Sequence, residues 1–234
     1  MPTAVITGAS KGLGRAVALA LAGRGWQLIV DARGGERLAE AATEMEAAGA
    51  KSVIALSGDV ADPSHRAALA DAARAAGTVD LLMNNASTLG LSPQPPVASF
   101  PPAVLLDVYA VNTVAPLALV QALIEPLRTS AGVIVSVSSD AAVEPYEGWG
   151  GYGSSKAALD QATAILAAEE PGLSVYAFDP GDMRTELHQQ AYPGEDISDR
   201  AEPETVVPAF LRLLDERPAS GRYRASDLLA GGGS

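Results

Sequence analysis

The chain predicts a doubly wound α/β fold, one parallel sheet with helices on both faces, and two observations carry that reading. Short, continuously apolar runs alternate with alanine-rich stretches of helical period. Strands buried on both faces and joined by amphipathic crossover helices have this pattern. The length, 234 residues, is that of one large α/β domain, because a single core stops growing near ~250 residues.

Taken in order, the runs at 4–7, 27–30, 53–56, 79–83, 133–137 and 173–178 read as strands, and helices are expected near 13–24, 35–48, 63–76, 102–128 and 153–169. The first strand leads directly into a glycine-rich turn and the first helix. Pro116 inside the long 102–128 helix marks a kink whose cost packing offsets. The proline-rich stretch 92–102 and the polar segment 186–203 lack a period and read as loops over one edge of the sheet. No repeat or linker divides the chain, so 1–230 reads as one domain. The Gly-Gly-Gly-Ser run at 231–234 reads as a flexible tail.

Composition excludes several classes. An apolar fraction of 48% with 19% charged residues is globular rather than disordered. Twenty-eight acids against sixteen bases leave a net charge of −12, which repels phosphate backbones and anionic headgroups, so no nucleic-acid or membrane partner is expected. No apolar run approaches the ~18 residues of a membrane span. The N-terminus lacks the basic prelude of a signal peptide, and a cytoplasmic location is expected. Without cysteine, and with only His65 and His188, neither a disulfide nor a thiolate or histidine metal site is expected. His65 reads as decoration of an exposed helix start, and His188 as a side chain without a visible partner. Of the sixteen bases only Lys11, Lys51 and Lys156 are lysine, which points to sites needing a compact ammonium that arginine cannot replace.

The turn Thr7-Gly8-Ala9-Ser10-Lys11-Gly12-Leu13-Gly14 follows the first strand and opens the first helix. Gly8 suits a tight turn, Gly12 a close backbone approach to a pyrophosphate, and Gly14 close packing of helix on sheet, with the helix N-terminus facing the anion. Three intervening residues and then one resembles the TGxxxGxG signature of the short-chain dehydrogenases/reductases. The resemblance recurs down nearly the whole chain. Asp59-Val60 resembles the family's adenine-contacting pair, and Asn84-Asn85-Ala86 its NNAG motif. Asn112, Ser139, the Tyr152-Gly153-Ser154-Ser155-Lys156 run, and Pro180-Gly181 with Thr185 follow in family order. It implies a single-domain Rossmann fold that binds a nicotinamide dinucleotide through Gly8, Ser10, Lys11, Gly12, Leu13, Gly14, Arg33, Asp59, Val60, Asn85, Ala86, Tyr152, Lys156, Pro180, Gly181 and Thr185.

Tyr152 and Lys156 are four apart at an expected helix start, which places an ammonium beside a phenol on one face. Free tyrosine titrates near ~10, and a nearby cation favours the phenolate, so Tyr152 is expected to become a usable acid/base. The resemblance implies that Tyr152 exchanges a proton with the substrate oxygen and Ser139 hydrogen-bonds that oxygen. It also implies that Asn112 holds a relay water and Lys156 grips the nicotinamide ribose. Ser139, thirteen residues before Tyr152, fits the family spacing better than Ser138 or Ser136. Hydride must come from the cofactor.

An acid at the end of the second strand would bind a ribose diol and exclude a 2′-phosphate. By resemblance that position is Ala32, with Arg33 and Lys11 at the two phosphate-contacting positions, so NADPH is expected over NADH. A one-residue shift would instead place Asp31 on the diol. Ser87 and Ser136 depart from the family pattern at positions read as non-chemical. Asp140, Glu144, Glu147 and Asp182, with Tyr146, Trp149 and Met183, read either as an acidic rim on an aromatic substrate pocket or as solvated loop acids. The function expected is that of an NADPH-dependent oxidoreductase acting on a small-molecule carbonyl or alcohol, assembled as a homodimer or homotetramer through the 102–128 and 152–170 helices. A non-redox epimerase or dehydratase of the family and a nucleotide-binding regulator are the alternatives. The Ser139, Tyr152 and Lys156 set argues against the regulator.

Overall fold

The computed structural model describes residues 1–230, and the expected Gly/Ser tail lies outside the described residues. Seven strands form one sheet: β1 (Thr3–Ile6), β2 (Gln27–Ala32), β3 (Ser52–Ser57), β4 (Leu81–Asn84), β5 (Val133–Val137), β6 (Ser174–Asp179) and β7 (Gly221–Arg224). Their order is β3-β2-β1-β4-β5-β6-β7, and every neighbouring pair is parallel. The connections run outward in opposite directions from β1 and β4, so a crevice opens at the carboxyl ends of these two strands.

Alternate residues of each strand face opposite layers. Val5, Ile29, Leu82 and Ile134 pack under α3 (Pro63–Ala76) and α5 (Ala115–Ser130). Ile6, Leu28, Val30 and Phe178 pack on the other face with α1 (Gly12–Ala22), α2 (Gly35–Ala47) and Phe210. Both faces are thus covered, as the apolar runs require.

The expected 102–128 helix is broken. α4 (Pro102–Tyr109) passes through a π-helical turn at Ala110–Val114 into α5. Pro116 has no N–H to give the carbonyl of Asn112 four residues back, so the helix widens there. A second proline, Pro126, lies inside α5. The stretch Pro102–Ser130 has a mean hydropathy of 1.8 in its most apolar window, long and apolar enough to cross a bilayer, which counting uninterrupted apolar runs overlooks. In this fold Leu119, Val120, Leu123 and Leu127 of α5 pack on the sheet.

α6 (Gly150–Glu169) follows the expected boundary within a turn, and α7 (Glu186–Ala191) forms within the segment expected to be loop. Thr185 starts α7 by accepting the His188 N–H at its hydroxyl. α8 (Val207–Glu216), β7 and α9 (Ala225–Ala230) complete the described chain.

Candidate active site

The carboxyl ends of β1, β2, β4, β5 and β6 border a cleft of ≈ 630 Å³. Its wall holds Gly8, Ser10, Lys11, Gly12, Leu13, Arg33, Asp59, Val60, Asn85, Ala86, Ser139, Tyr152, Lys156, Pro180, Gly181 and Thr185. Two expected residues, Gly14 and Asn112, do not line it.

Gly14 acts from behind the wall. A Cβ there would lie 2.5 Å from Asn85 Nδ2 and 2.6 Å from the Gly8 carbonyl oxygen, so only glycine lets α1 sit this close to the turn. Gly12 has φ +56, a conformation that favours glycine. Thr7 and Asn85 fix the turn. The Thr7 hydroxyl accepts from the Asn85 and Ala86 N–H groups at 2.9 and 3.0 Å, and Asn85 Nδ2 donates to the Thr7 carbonyl at 2.8 Å. Lys11, the N-cap of α1, makes no side-chain cap, which leaves the backbone N–H groups of the first helical turn without a side-chain acceptor.

At the end of β2, Asp31 is buried. Its carboxylate accepts from the Gly8 N–H at 2.8 Å and pairs with His65 Nε2 at 3.0 Å, and burial pushes its carboxyl above the usual range. Two expectations change. Asp31 is committed to the glycine turn rather than held toward a ribose, and His65 is a buried partner rather than an exposed ornament. His65 lies on the stripe it shares with Leu69 and Ala73, the inward face of α3. Arg33 lines the cleft and makes no ion pair among the described residues. Lys11 pairs with Glu186 at the start of α7, whose other carboxylate oxygen accepts from Arg37 at 2.6 Å. Sequence reasoning missed Arg37, which points into the cleft from the first turn of α2.

Ser139 lies two residues beyond the end of β5 and caps the short turn Asp140–Ala142. Its hydroxyl donates to Asp140 Oδ1 at 2.9 Å and accepts from the Ala141 N–H at 3.2 Å. Tyr152 and Lys156 occupy successive turns at the start of α6, both buried. The Lys156 ammonium donates to the Val137 carbonyl at 2.7 Å and lies 5.6 Å from the centroid of the Tyr152 ring. Burial pushes the Tyr152 phenol up to about 12, opposed by the hydroxyls of Ser87 and Ser139. Burial also pulls Lys156 down to about 8, opposed by Asp160. The expected lowering of Tyr152 by its lysine is therefore reversed here. Desolvation outweighs a cation that is aimed at a backbone carbonyl.

Asn112 is fully buried, and its side chain is already used. Oδ1 accepts from the Thr88 N–H at 2.9 Å and the Ser87 hydroxyl at 3.1 Å, while Nδ2 donates to the Thr88 carbonyl at 2.9 Å and to Ser155 Oγ at 3.0 Å. Asn112 thereby ties the π turn to the 87–88 segment and to α6 between Tyr152 and Lys156. Ser87, expected to be non-chemical, is on the cleft wall and acts on the phenol.

Beside Tyr152 the wall is apolar, with Leu89, Trp149 and Leu187. Trp149 meets the Tyr152 ring edge-on at 5.6 Å between centroids. The expected acidic rim is only half present. Asp140 and Asp182 line the cleft, whereas Glu144 and Glu147 do not. Asp182 lies 3.7 Å from Arg200 and 3.8 Å from His188, and Glu144 lies 3.8 Å from Arg224, so basic side chains stand among these acids. No group of side chains suited to a metal ion occurs among the described residues.

Residues 2–196 match the family model described as short chain dehydrogenase. The chain is 34% identical over 203 residues to sepiapterin reductase of Meriones unguiculatus, covering 80% of this chain and 76% of that protein. It is 34% identical over 188 residues to serine 3-dehydrogenase of Agrobacterium fabrum, covering 79% and 73%. Its fold superimposes with a TM-score of 0.89 on a Shigella flexneri protein described as a short chain dehydrogenase and solved in complex with NADP. That protein is 27% identical, with 96% of this chain and 97% of that one covered.

Proposed function

This chain belongs to the short-chain dehydrogenases, and from that membership we propose that it is an NADPH-dependent carbonyl reductase, or the alcohol dehydrogenase that runs the same step in reverse. One observation carries the reading: Ser139, Tyr152 and Lys156 line the same cleft as the glycine turn. A binding module has no need of that acid/base set.

The residues present fit a nicotinamide dinucleotide. The uncapped start of α1 and the positive-φ Gly12 form an anion cradle. Asp59, Val60 and Ala86 would flank the adenosine, and Pro180, Gly181 and Thr185 the nicotinamide side. Lys11, Arg33 and Arg37 gather positive charge beside Ala32, where an acid would otherwise exclude a 2′-phosphate. The NADP held by the Shigella flexneri protein supports the same choice.

When bound, the dinucleotide supplies or accepts hydride at the carbonyl carbon. Tyr152 gives its proton to the carbonyl oxygen as the C=O π bond breaks, and in oxidation takes it back. A phenol near 12 keeps its proton until that oxygen gains charge. Ser139 turns its hydroxyl from Asp140 to the substrate oxygen. Lys156 returns a proton to Tyr152 and holds the ribose. Asn112 serves this relay through its backbone carbonyl, from which Pro116 withholds the ordinary α-helical N–H donor, while its side chain positions α6. Leu89, Trp149 and Leu187 favour a substrate with an apolar body, and Asp140 and Asp182 favour a donor or cationic group on it. We place a dimer or tetramer contact on the outer faces of α4, the π turn that leads into α5, and α6, where Leu106, Val114 and Ile165 are exposed.

The test is a nucleotide titration followed by turnover on a carbonyl panel. NADPH oxidation coupled to alcohol formation is expected, and NADPH binding without turnover on any carbonyl would favour the regulator.

A further inference from the structure

The edge strand β7 sends a side chain back to the catalytic centre. Arg222 stands opposite Ala177 of β6 and diagonally beside Asp179, on the same face of the sheet. Its guanidinium reaches three separate elements. Nη2 donates to the Ser139 carbonyl at 2.9 Å and to Asp179 Oδ2 at 2.8 Å, and Nε donates to Asp160 Oδ2 at 3.0 Å.

Each contact lies next to a group of the proposed reaction. Ser139 is the serine of the site itself. Asp179 immediately precedes Pro180-Gly181, and its other oxygen accepts from the Gly181 N–H at 3.1 Å. Asp160 follows Lys156 by one turn, as Lys156 follows Tyr152, so the three share one face of α6. The carboxylates of Asp179 and Asp160 are 4% and 14% exposed, too buried for water to screen the pairing as it does on the surface. Asp160 Oδ1 is buried without a partner among the described residues, so the guanidinium is the only hydrogen-bonded anchor of that side chain.

We propose that Arg222 is a positioning residue that fixes Ser139, the Tyr152–Lys156 face and the Pro180-Gly181 loop relative to one another. It touches no reacting atom. The proposal rests on the reductase reading of the cleft and adds to it a specific structural support. Arginine is needed because its rigid fork serves three acceptors at once, whereas a lysine ammonium is a point charge on a flexible stem.

Arg222→Lys keeps the charge and loses the fork. In this variant kcat is expected to fall on the order of 10-fold to 100-fold, as misplacement of reacting groups by about 1 Å does. KM for the carbonyl and the NADPH dissociation constant should stay within about threefold of wild type. Amide hydrogen exchange, read without any turnover, should rise together over 137–143, 156–164 and 178–184. If Arg222→Lys does not fold, Asp160→Asn reads one arm alone: exchange should rise over 156–164 and stay unchanged over 178–184. Unchanged exchange in these segments, or a kcat loss matched by an equal loss of NADPH affinity, overturns the proposal. A wild type that neither binds NADPH nor reduces any carbonyl overturns the reductase reading instead, and exchange still decides whether Arg222 holds the three segments.

Discussion

Lys156 donates to the carbonyl of Val137 at 2.7 Å, the last residue of the strand that delivers Ser139. Tyr152 and Ser139 are therefore joined through the lysine and the β5 backbone before any ligand arrives. Lys156→Arg should lower kcat/KM by at least ~10-fold, since a planar guanidinium cannot replace an ammonium in this buried slot. Retention of wild-type kcat/KM in steady-state assays would show that the compact head is dispensable.

The same burial sets a pH dependence. Lys156 loses its proton near about 8, so kcat/KM for reduction should decline above that pH while Tyr152, near 12, stays protonated. The effect on stability has the opposite sign. A lysine whose native pKa is depressed destabilises the fold where both states are protonated, below about 8, and that cost is relieved as pH rises toward its ordinary 10.5. Tyr152, whose native pKa is raised, contributes stability that is complete below 10 and is lost as pH climbs to about 12. Kinetic and denaturation profiles of Tyr152→Phe and wild type separate the two groups.

Tyr152→Phe removes the proposed proton donor and keeps the edge-on packing with Trp149. Turnover should fall by at least ~10² with NADPH affinity nearly intact. Activity retained in a stopped-flow hydride-transfer assay would mean that another group handles the proton.

Cofactor choice should follow charge beside Ala32. NADPH should bind more tightly than NADH, and Arg33→Asp should abolish or reverse the preference. Glu186 already occupies Lys11 and Arg37 with a carboxylate. Surface pairs of this kind are worth only about 0–1 kcal/mol, weak enough for a phosphate to displace. Glu186→Gln should therefore raise NADPH affinity severalfold and leave NADH unchanged in fluorescence titrations.

Asp31→Ala leaves the Gly8 N–H and the His65 ring without their buried acceptor and should cost about 1–3 kcal/mol in chemical denaturation, with Asp31→Asn milder. Neither should convert the cofactor preference, because the Asp31 carboxylate faces the glycine turn. Ala32→Asp should move it toward NADH.

Six strands were legible because each contains a run of apolar residues, buried on both faces in β1, β2, β4, β5 and β6 and half-exposed in the edge strand β3. β7, Gly221-Arg222-Tyr223-Arg224, carries two arginines and gives no such signal, since its stability comes from backbone pairing with β6 and ion pairs that only the fold assembles. α8 carries Val207, Phe210, Leu213 and Leu214 on one buried face, a helical period present in the sequence. The cleft residues were legible by motif, with Gly14 and Asn112 placed behind it instead. Protonation was not legible, because spacing reports that Lys156 neighbours Tyr152 and says nothing of how deeply both are desolvated. Arg37, Glu186 and His65 depend on contacts across 149 residues or 34, a range at which local pattern carries no information.

Placing β7 at the sheet edge has a consequence for biogenesis. A nascent chain translated through β6 already holds the glycine turn, Ser139, Tyr152 and Lys156, but still lacks α8, whose Phe210 and Leu213 complete the core on the α1 face. Arg222 enters only when β7 pairs with β6. Cofactor capture and catalytic competence should then be acquired at different moments of synthesis: first, once α8 has packed, a chain that grips the nucleotide, then, as the edge strand zips on, one that can use it.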